Sequence, residues 1–267
     1  MIDHGKKSVL GVMIDAVDYE AAVDRIIRAA KEGRPYGVSA LAVHGVMTGV
    51  EDDEHRYRLN DLELVTPDGQ PVRWALNLLY KVGLRERVYG PVLTLKVLAA
   101  AADQGLPVFF YGSRQEVLDR LVANLEDRFP SLKIAGAEPS KFRTVNAEEK
   151  AQITDRISHS GAQITFVGLG CPRQEIFAYE YRDQLRMPLL AVGAAFDYHA
   201  GLLVEPPAWM QSWGLQWLYR LLQDPRRLWA RYLKLNPLYL ALLVRQMMKF
   251  GRATPVQSKP AAEVRVA

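Results

Sequence analysis

From residue 107 to residue 193 the chain alternates short apolar runs with segments of helical length, and this limits the possible folds more than any other feature. Residues 107–111, 132–136, 162–167 and 188–192 read as strands, and residues 115–129, 147–158 and 174–185 read as helices. Strands joined by single helices run parallel, because a crossover of that length returns the chain to the same end of a sheet. The strands are apolar along their whole length, as strands covered on both faces must be. The expected fold class is α/β: a Rossmann-like, mostly parallel sheet with helices on both faces.

The first hundred residues extend the pattern less regularly. Residues 8–14 predict a first strand and 16–32 an amphipathic helix. Residues 36–43 predict a second strand followed by a helix from about residue 46, and 62–65 a third strand. Helices are expected over 72–81 and 93–103. Past Gly201 the strand signals stop. Asp224-Pro225 and Asn236-Pro237 each set a capping side chain before a proline suited to the first helical position, which predicts helices over 225–235 and 237–250. The expected organisation is a Rossmann-like domain over 1–202, a basic, Trp-rich helical appendage over 203–250, and a disordered tail over 251–267.

Composition narrows the setting. Cys171 is the one cysteine, so no internal disulfide or Cys-rich metal site can form, and a reducing, cytoplasmic compartment is expected. Residues 1–7 lack the apolar core of a signal peptide. The longest apolar candidate, residues 238–244, falls well short of the roughly 18 residues of a spanning helix. The net charge of +4 is uneven: residues 218–252 hold eight basic side chains against Asp224 alone. Such a basic end suits an anionic partner. Trp209, Trp213 and Trp217 recur every four residues just upstream, and Arg227, Arg231 and Lys234 share one helix face. Tryptophans beside a cationic face suit a membrane–water boundary or plain packing on the body. Nucleic acid is not expected, since no recognised motif accompanies the basic face.

The chemistry-bearing segment is Val65-Thr-Pro-Asp-Gly-Gln-Pro-Val72. Pro67 and Gly69 favour a turn, and Pro71 favours a helix start. Asp68 is thereby held between a strand end and a helix start, where open α/β sheets collect their ligands. A carboxylate there can take a proton from a hydroxyl, or can simply form the turn. Glycines end three further strands: Gly112, the Gly168/Gly170 pair and Gly193. They open backbone amides to a phosphorylated ligand, or serve as tight turns. The run from Gly168 begins like a dinucleotide fingerprint, but Arg173 stands where the third glycine belongs. Gln174 can read a base or sugar edge, and Glu175 can complement a helix dipole. His44, Asp197 and His199 follow strands and can contact a ligand or fasten loops. Residues 51–54 form an acidic run without a calcium-loop pattern, so no metal site is expected. Arginines would then have to neutralise any departing diphosphate.

Taken in order, six motifs resemble the WecG/TagA/CpsF family of bacterial glycosyltransferases. They are Thr66-Pro-Asp-Gly69, Arg87-Val-Tyr-Gly-Pro91, Phe110-Tyr-Gly112, Gly168-Leu-Gly-Cys-Pro-Arg-Gln-Glu175, Gly193-Ala-Ala-Phe-Asp197, and Pro207-Ala-Trp-Met-Gln211 running on to Pro225-Arg-Arg227. The resemblance spans roughly residues 8–235. It implies an inverting transfer of a sugar, N-acetylmannosamine or a related hexose or uronate, from a UDP donor to a polyprenyl-diphosphate-linked acceptor at the inner membrane face. It also implies no cofactor, no metal and a C-terminal appendage that meets the membrane.

By the same resemblance Asp68 is the general base and Gln174 a conserved substrate-binding residue. The family's diphosphate-binding arginines would fall among Arg220, Arg227 and Arg231. Read from their own places at strand ends and loops, His44, Arg87, Gly112, Gly168, Gly170 and Asp197 are the further candidates to line the substrate site. Two positions depart from the family pattern: Val92 replaces an acidic residue after Gly-Pro, and Ser39-Ala-Leu-Ala-Val-His44 replaces a Thr-x-Asn pair. They leave the donor sugar open. A nicotinamide-dependent oxidoreductase and a non-catalytic sugar-nucleotide or membrane-binding protein stand as the alternatives.

Overall fold

The computed structural model describes residues 1–223, 225–248 and 258–267, with the side chains of 208, 212, 227, 228, 230 and 231 outside the description. Asp224 and the stretch 249–257 also lie outside it.

The chain opens with an antiparallel hairpin, β1 (Asp3–Val9) and β2 (Val12–Val17). The sequence pattern predicts a single strand over 8–14. The difference arises at Leu10 and Gly11, whose φ values of 54° and 90° turn the chain inside an unbroken apolar run. The hairpin is tied to the sheet by Asp15, whose carboxylate accepts from the Val65 amide (2.8 Å) and from Arg25 (2.9 Å).

Next come α1 (Tyr19–Glu32), β3 (Tyr36–Leu41), α2 (Val43–Glu51), α3 (Asp53–Asp61), β4 (Leu64–Pro67), α4 (Gln70–Tyr80) and α5 (Gly90–Gln104). The regular half supplies β5 (Val108–Gly112), α6 (Gln115–Arg128), β6 (Ile134–Glu138), α7 (Ala147–His159), β7 (Ile164–Gly168), α8 (Arg173–Leu185), β8 (Pro188–Ala191) and α9 (Ala195–His199). Strands β3 to β8 form one six-stranded sheet in the order β4-β3-β8-β7-β5-β6, and every pairing is parallel. All their carboxyl ends therefore lie along one edge.

Strand periodicity divides the core in two. Val108 and Phe110 of β5, Ile164 and Phe166 of β7, and Leu190 of β8 face a cluster completed by α1, α5, α6 and α9. Phe109 and Tyr111, Val167 and Leu189 face the opposite cluster, completed by α2, α3, α4, α7 and α8. Successive side chains on a strand point to opposite faces, so both faces must be apolar and both must be covered. On the second face Phe177 is sandwiched between Tyr111 (ring centroids 4.8 Å) and Tyr181 (3.9 Å).

The C-terminal segment forms α10 (Ala208–Ser212), α11 (Gln216–Gln223) and α12 (Pro225–Met247). One helix replaces the two predicted over 225–235 and 237–250, and it runs through Pro237. Leu235, Tyr239 and Leu243 recur at i, i+4 and i+8 and bury one continuous face in the second core. That packing outweighs the local cost of proline inside a helix. Tyr239 also donates to the Pro71 carbonyl (3.2 Å), and Gln246 donates to the Ser8 carbonyl (2.9 Å).

The disordered tail expected over 251–267 needs correcting at its end. Residues 258–267 are described, and Val266 bridges Thr144. Val266 and Ala267 are buried, with the Val266 carbonyl accepting from the Tyr181 hydroxyl (3.0 Å) and that of Ala267 from the Ser140 hydroxyl (2.8 Å). Among the described residues no helix is long and apolar enough to cross a membrane.

The three-ring stack gives a first test. Phe177→Ala should lower unfolding free energy by about 3–5 kcal/mol, since it removes a fully buried ring between two others. Urea unfolding of a variant whose far-ultraviolet spectrum is unchanged measures that loss.

Candidate functional site

Asp68 follows β4 directly, and its amide donates to the Leu41 carbonyl at the end of β3 (3.2 Å). Its carboxylate Oδ1 accepts from the Gly90 amide at the start of α5 (2.6 Å). Gly90 is hemmed in: a side chain there would stand 3.3 Å from Ala40 Cβ, 3.5 Å from the Val192 carbonyl and 3.7 Å from Asp68 Oδ1. The ends of β3, β4 and β8 and the start of α5 thus converge on one carboxylate.

Arg87 and Arg220 supply positive charge there. The buried Arg87 guanidinium lies 4.2 Å over the Tyr89 ring, and Arg220 comes from α11. Burial raises the Asp68 carboxyl above its ordinary value, while Arg87, the Gly90 amide and Arg220 pull it back down.

Two elements of the C-terminal segment touch this corner. Gln211 of α10 accepts from Arg87 (3.4 Å), and its carbonyl accepts from Gln70 (3.2 Å). Gln216 of α11 donates to the Tyr89 hydroxyl (2.7 Å), and the Tyr89 amide donates to the Tyr19 hydroxyl (2.9 Å). Sequence reasoning missed Tyr89, Gln211 and Gln216. All three lie inside the motifs that carried the family resemblance, and only the packing of α10 and α11 against the loop before α5 gives them partners.

The glycine turns lie further along the same sheet edge, at the ends of strands three and four places from β4. Gly112 and Gly168 are partners in register at the ends of β5 and β7. Gly112 has φ +116°, and a Cβ on it would stand 2.8 Å from the Gly168 backbone, so neither turn has room for a larger residue. Gly170 donates its amide to Gln174 Oε1 (3.1 Å), and Gln174 Nε2 donates to Glu175 (2.9 Å). The Gln174 side chain, expected to meet substrate, is buried and braces its own loop. Glu175, read as a dipole partner of α8, is buried too; its Oε1 accepts from Ser39 (3.2 Å), and burial raises its carboxyl.

The remaining expected residues are less central. His44 sits in the first turn of α2 with Nδ1 at 3.3 Å from the Thr48 hydroxyl. Asp197 lies in α9, where its carbonyl accepts from the Leu202 and Leu203 amides. His199 fastens that helix through Nε2 to the Pro91 carbonyl (2.9 Å). Val92 packs against the first core and brings no acid to the site. The Arg227 and Arg231 side chains lie outside the described residues. The acidic run over 51–54 is consumed locally: Asp52 caps α3 through the His55 amide, Asp53 pairs with Arg56, and Glu51 with Lys234. An open cleft of about 860 Å³ between α1 and α5, lined by Asp24, Arg28 and Lys96 among others, does not include Asp68.

A parallel sheet covered on both faces, with an acid, arginines and glycine turns at its carboxyl ends, is the ground plan of a nucleotide-binding α/β enzyme. The chain matches the Glycosyl transferase WecG/TagA/CpsF family over residues 7–253 and belongs to that family. It is a glycosyltransferase of cell-surface polysaccharide synthesis. Membership displaces the oxidoreductase alternative.

The raised Asp68 carboxyl has a definite pH signature. Because its folded pKa exceeds its unfolded value, the cost to stability is absent below the ordinary pKa of 3.8 and grows as pH rises through it toward the raised value. Asp68→Asn should therefore melt above the wild type at pH 7. The gap should close as the pH falls toward 4, read from paired thermal melts across that range.

Proposed function

We propose that the chain transfers a sugar from a UDP donor to a polyprenyl-diphosphate-linked acceptor, with Asp68 as general base and inversion at the anomeric carbon. The observation that carries this reading is the Asp68 carboxylate at the convergence of three strand ends, fixed by the Gly90 amide and faced by Arg87 and Arg220. A carboxyl raised by burial is a better proton acceptor than an ordinary one, provided it remains ionised.

In the proposed step the acceptor hydroxyl gives its proton to Asp68 as its oxygen attacks the anomeric carbon. The bond from that carbon to the phosphate oxygen breaks on the opposite face, and UDP leaves with the electron pair. Arg87 and Arg220 offset the charge that builds on the diphosphate. The turns at Gly112, Gly168 and Gly170 are assigned to the donor side of the site, where small residues let a ligand approach the backbone, with His44 and Asp197 at the rim. Arg227 and Arg231 belong to the same cationic helix and are assigned to the acceptor diphosphate. The donor sugar stays open, because the positions of Val92 and Ser39 to His44 depart from the family pattern. No cofactor is assigned to the reaction.

The C-terminal segment is assigned to a membrane surface at the inner face of the cytoplasmic membrane. Trp213 is 76% exposed and Trp209 60% exposed, and Leu222, Trp229 and Leu233 add further apolar surface beside the basic residues. Aromatic and cationic side chains together favour the headgroup region of an anionic bilayer.

Two measurements test these assignments. With a lipid-linked acceptor and a panel of UDP-sugars, Asp68→Asn and Asp68→Ala should each lose about 10²–10⁴-fold in turnover, the usual worth of a positioned base. Turnover near the wild-type rate would exclude Asp68 from that role. Separately, Trp213→Glu should sharply weaken sedimentation with anionic vesicles while leaving the melting temperature unchanged, since this ring is mostly outside the fold.

A further inference from the structure

Below the strand-end turns, on the face covered by α3 and α8, three side chains of different chemistry meet. His55 comes from the first turn of α3, Cys171 from the loop after β7, and Glu175 from the first turn of α8. One ligand atom from each lies within 4.8 Å of the other two. His55 is 2% exposed and Glu175 1% exposed. Both ring nitrogens of His55 and the Oε2 of Glu175 are buried without a hydrogen-bond partner. Unmet polar atoms in a protein interior cost on the order of 1–3 kcal/mol each, and here one imidazole nitrogen and one carboxylate oxygen gather with a thiol.

We infer that His55, Cys171 and Glu175 form a zinc site that ties α3 to the loop leading into α8. Imidazole, thiolate and carboxylate are the borderline donor set that zinc takes in preference to magnesium or calcium, which favour oxygen alone. Bonds of about 2.0–2.3 Å set tetrahedral zinc ligands roughly 3.3–3.8 Å apart, so binding would draw together three atoms that now lie within 4.8 Å of one another. Charge balances within the pocket: a divalent cation with one thiolate, one carboxylate and one neutral imidazole carries no net charge. That matters where ions are poorly solvated.

Cys171 is only half-buried, which leaves that side for a water as fourth ligand. The remaining Glu175 oxygen is already oriented by Ser39 and Gln174, as ligating carboxylates usually are. The role is positional. Glu175 follows Gln174, which braces Gly170, so the ion anchors the glycine turn from beneath and takes no part in the transfer itself.

The test uses the untagged full-length chain after dialysis against a chelator. Zinc titration should saturate at one equivalent and raise the melting temperature. Cobalt substitution should give a thiolate-to-metal charge-transfer band, which only Cys171 can supply in this chain. Cys171→Ser should abolish the band. His55→Gln should weaken zinc binding by more than the 10–100-fold that loss of an outer-shell partner costs. Circular dichroism before metal addition establishes that each variant is folded, and the wild-type cobalt spectrum decides the matter even where a variant is not. Absence of the band, of one-equivalent binding or of the thermal shift would overturn the inference, leaving a metal-free network of acid, thiol and imidazole. None of these readouts depends on glycosyl transfer.

Discussion

One hydrogen bond organises the candidate centre: the Gly90 amide on the Asp68 carboxylate. It joins the turn after β4 to the first turn of α5, next to the bond from the Val88 amide to the Pro67 carbonyl (3.0 Å). An amide at a helix start is a fixed donor that also carries part of the helix dipole. It favours the ionised acid against the burial that raises its pKa. The surrounding architecture serves that contact. Parallel strands bring the ends of β3, β4 and β8 to one edge, and Gly90 has no side chain to push the helix start away from them.

Much of the fold was legible in the chain because buried parallel strands and amphipathic helices write different periods. Strands and helices between residues 107 and 193 fall within a few residues of their expected limits. The readings failed where tertiary contacts overrule local signals. The turn at Leu10 and Gly11 hides in an apolar run, since a left-handed leucine leaves no compositional mark. Pro237 looked like a helix start, yet the buried face of Leu235, Tyr239 and Leu243 carries α12 straight through it. The residues 258–267 have the composition of a loose end, but their carbonyls find donors in Ser140 and Tyr181, far away in sequence.

The candidate site was legible to a smaller extent. Asp68 could be singled out because a Pro-Asp-Gly turn between a strand and a helix fixes where the carboxylate sits. Arg87 and Arg220 followed from the motifs. The bonds of Gln174 to Gly170 and Glu175 could not be read in advance, since a sequence does not say whether an amide side chain turns toward a cleft or back onto its own backbone. The cluster of His55, Cys171 and Glu175 was invisible for a related reason. Its members are brought together by the docking of α3 on α8, and their spacing matches no compact ligand motif.

The contacts of Gln211 and Gln216 with Arg87 and Tyr89 have a consequence for how such a molecule would be governed. The same short helices that present tryptophans outward reach inward to the loop carrying the arginine beside the acid. Under the proposed membrane assignment, a force felt at the lipid boundary would pass to the corner around Asp68 through two amide side chains and an aromatic ring. Location itself would then act as an effector: a molecule adrift in solvent and one seated on a bilayer need not hold that arginine alike.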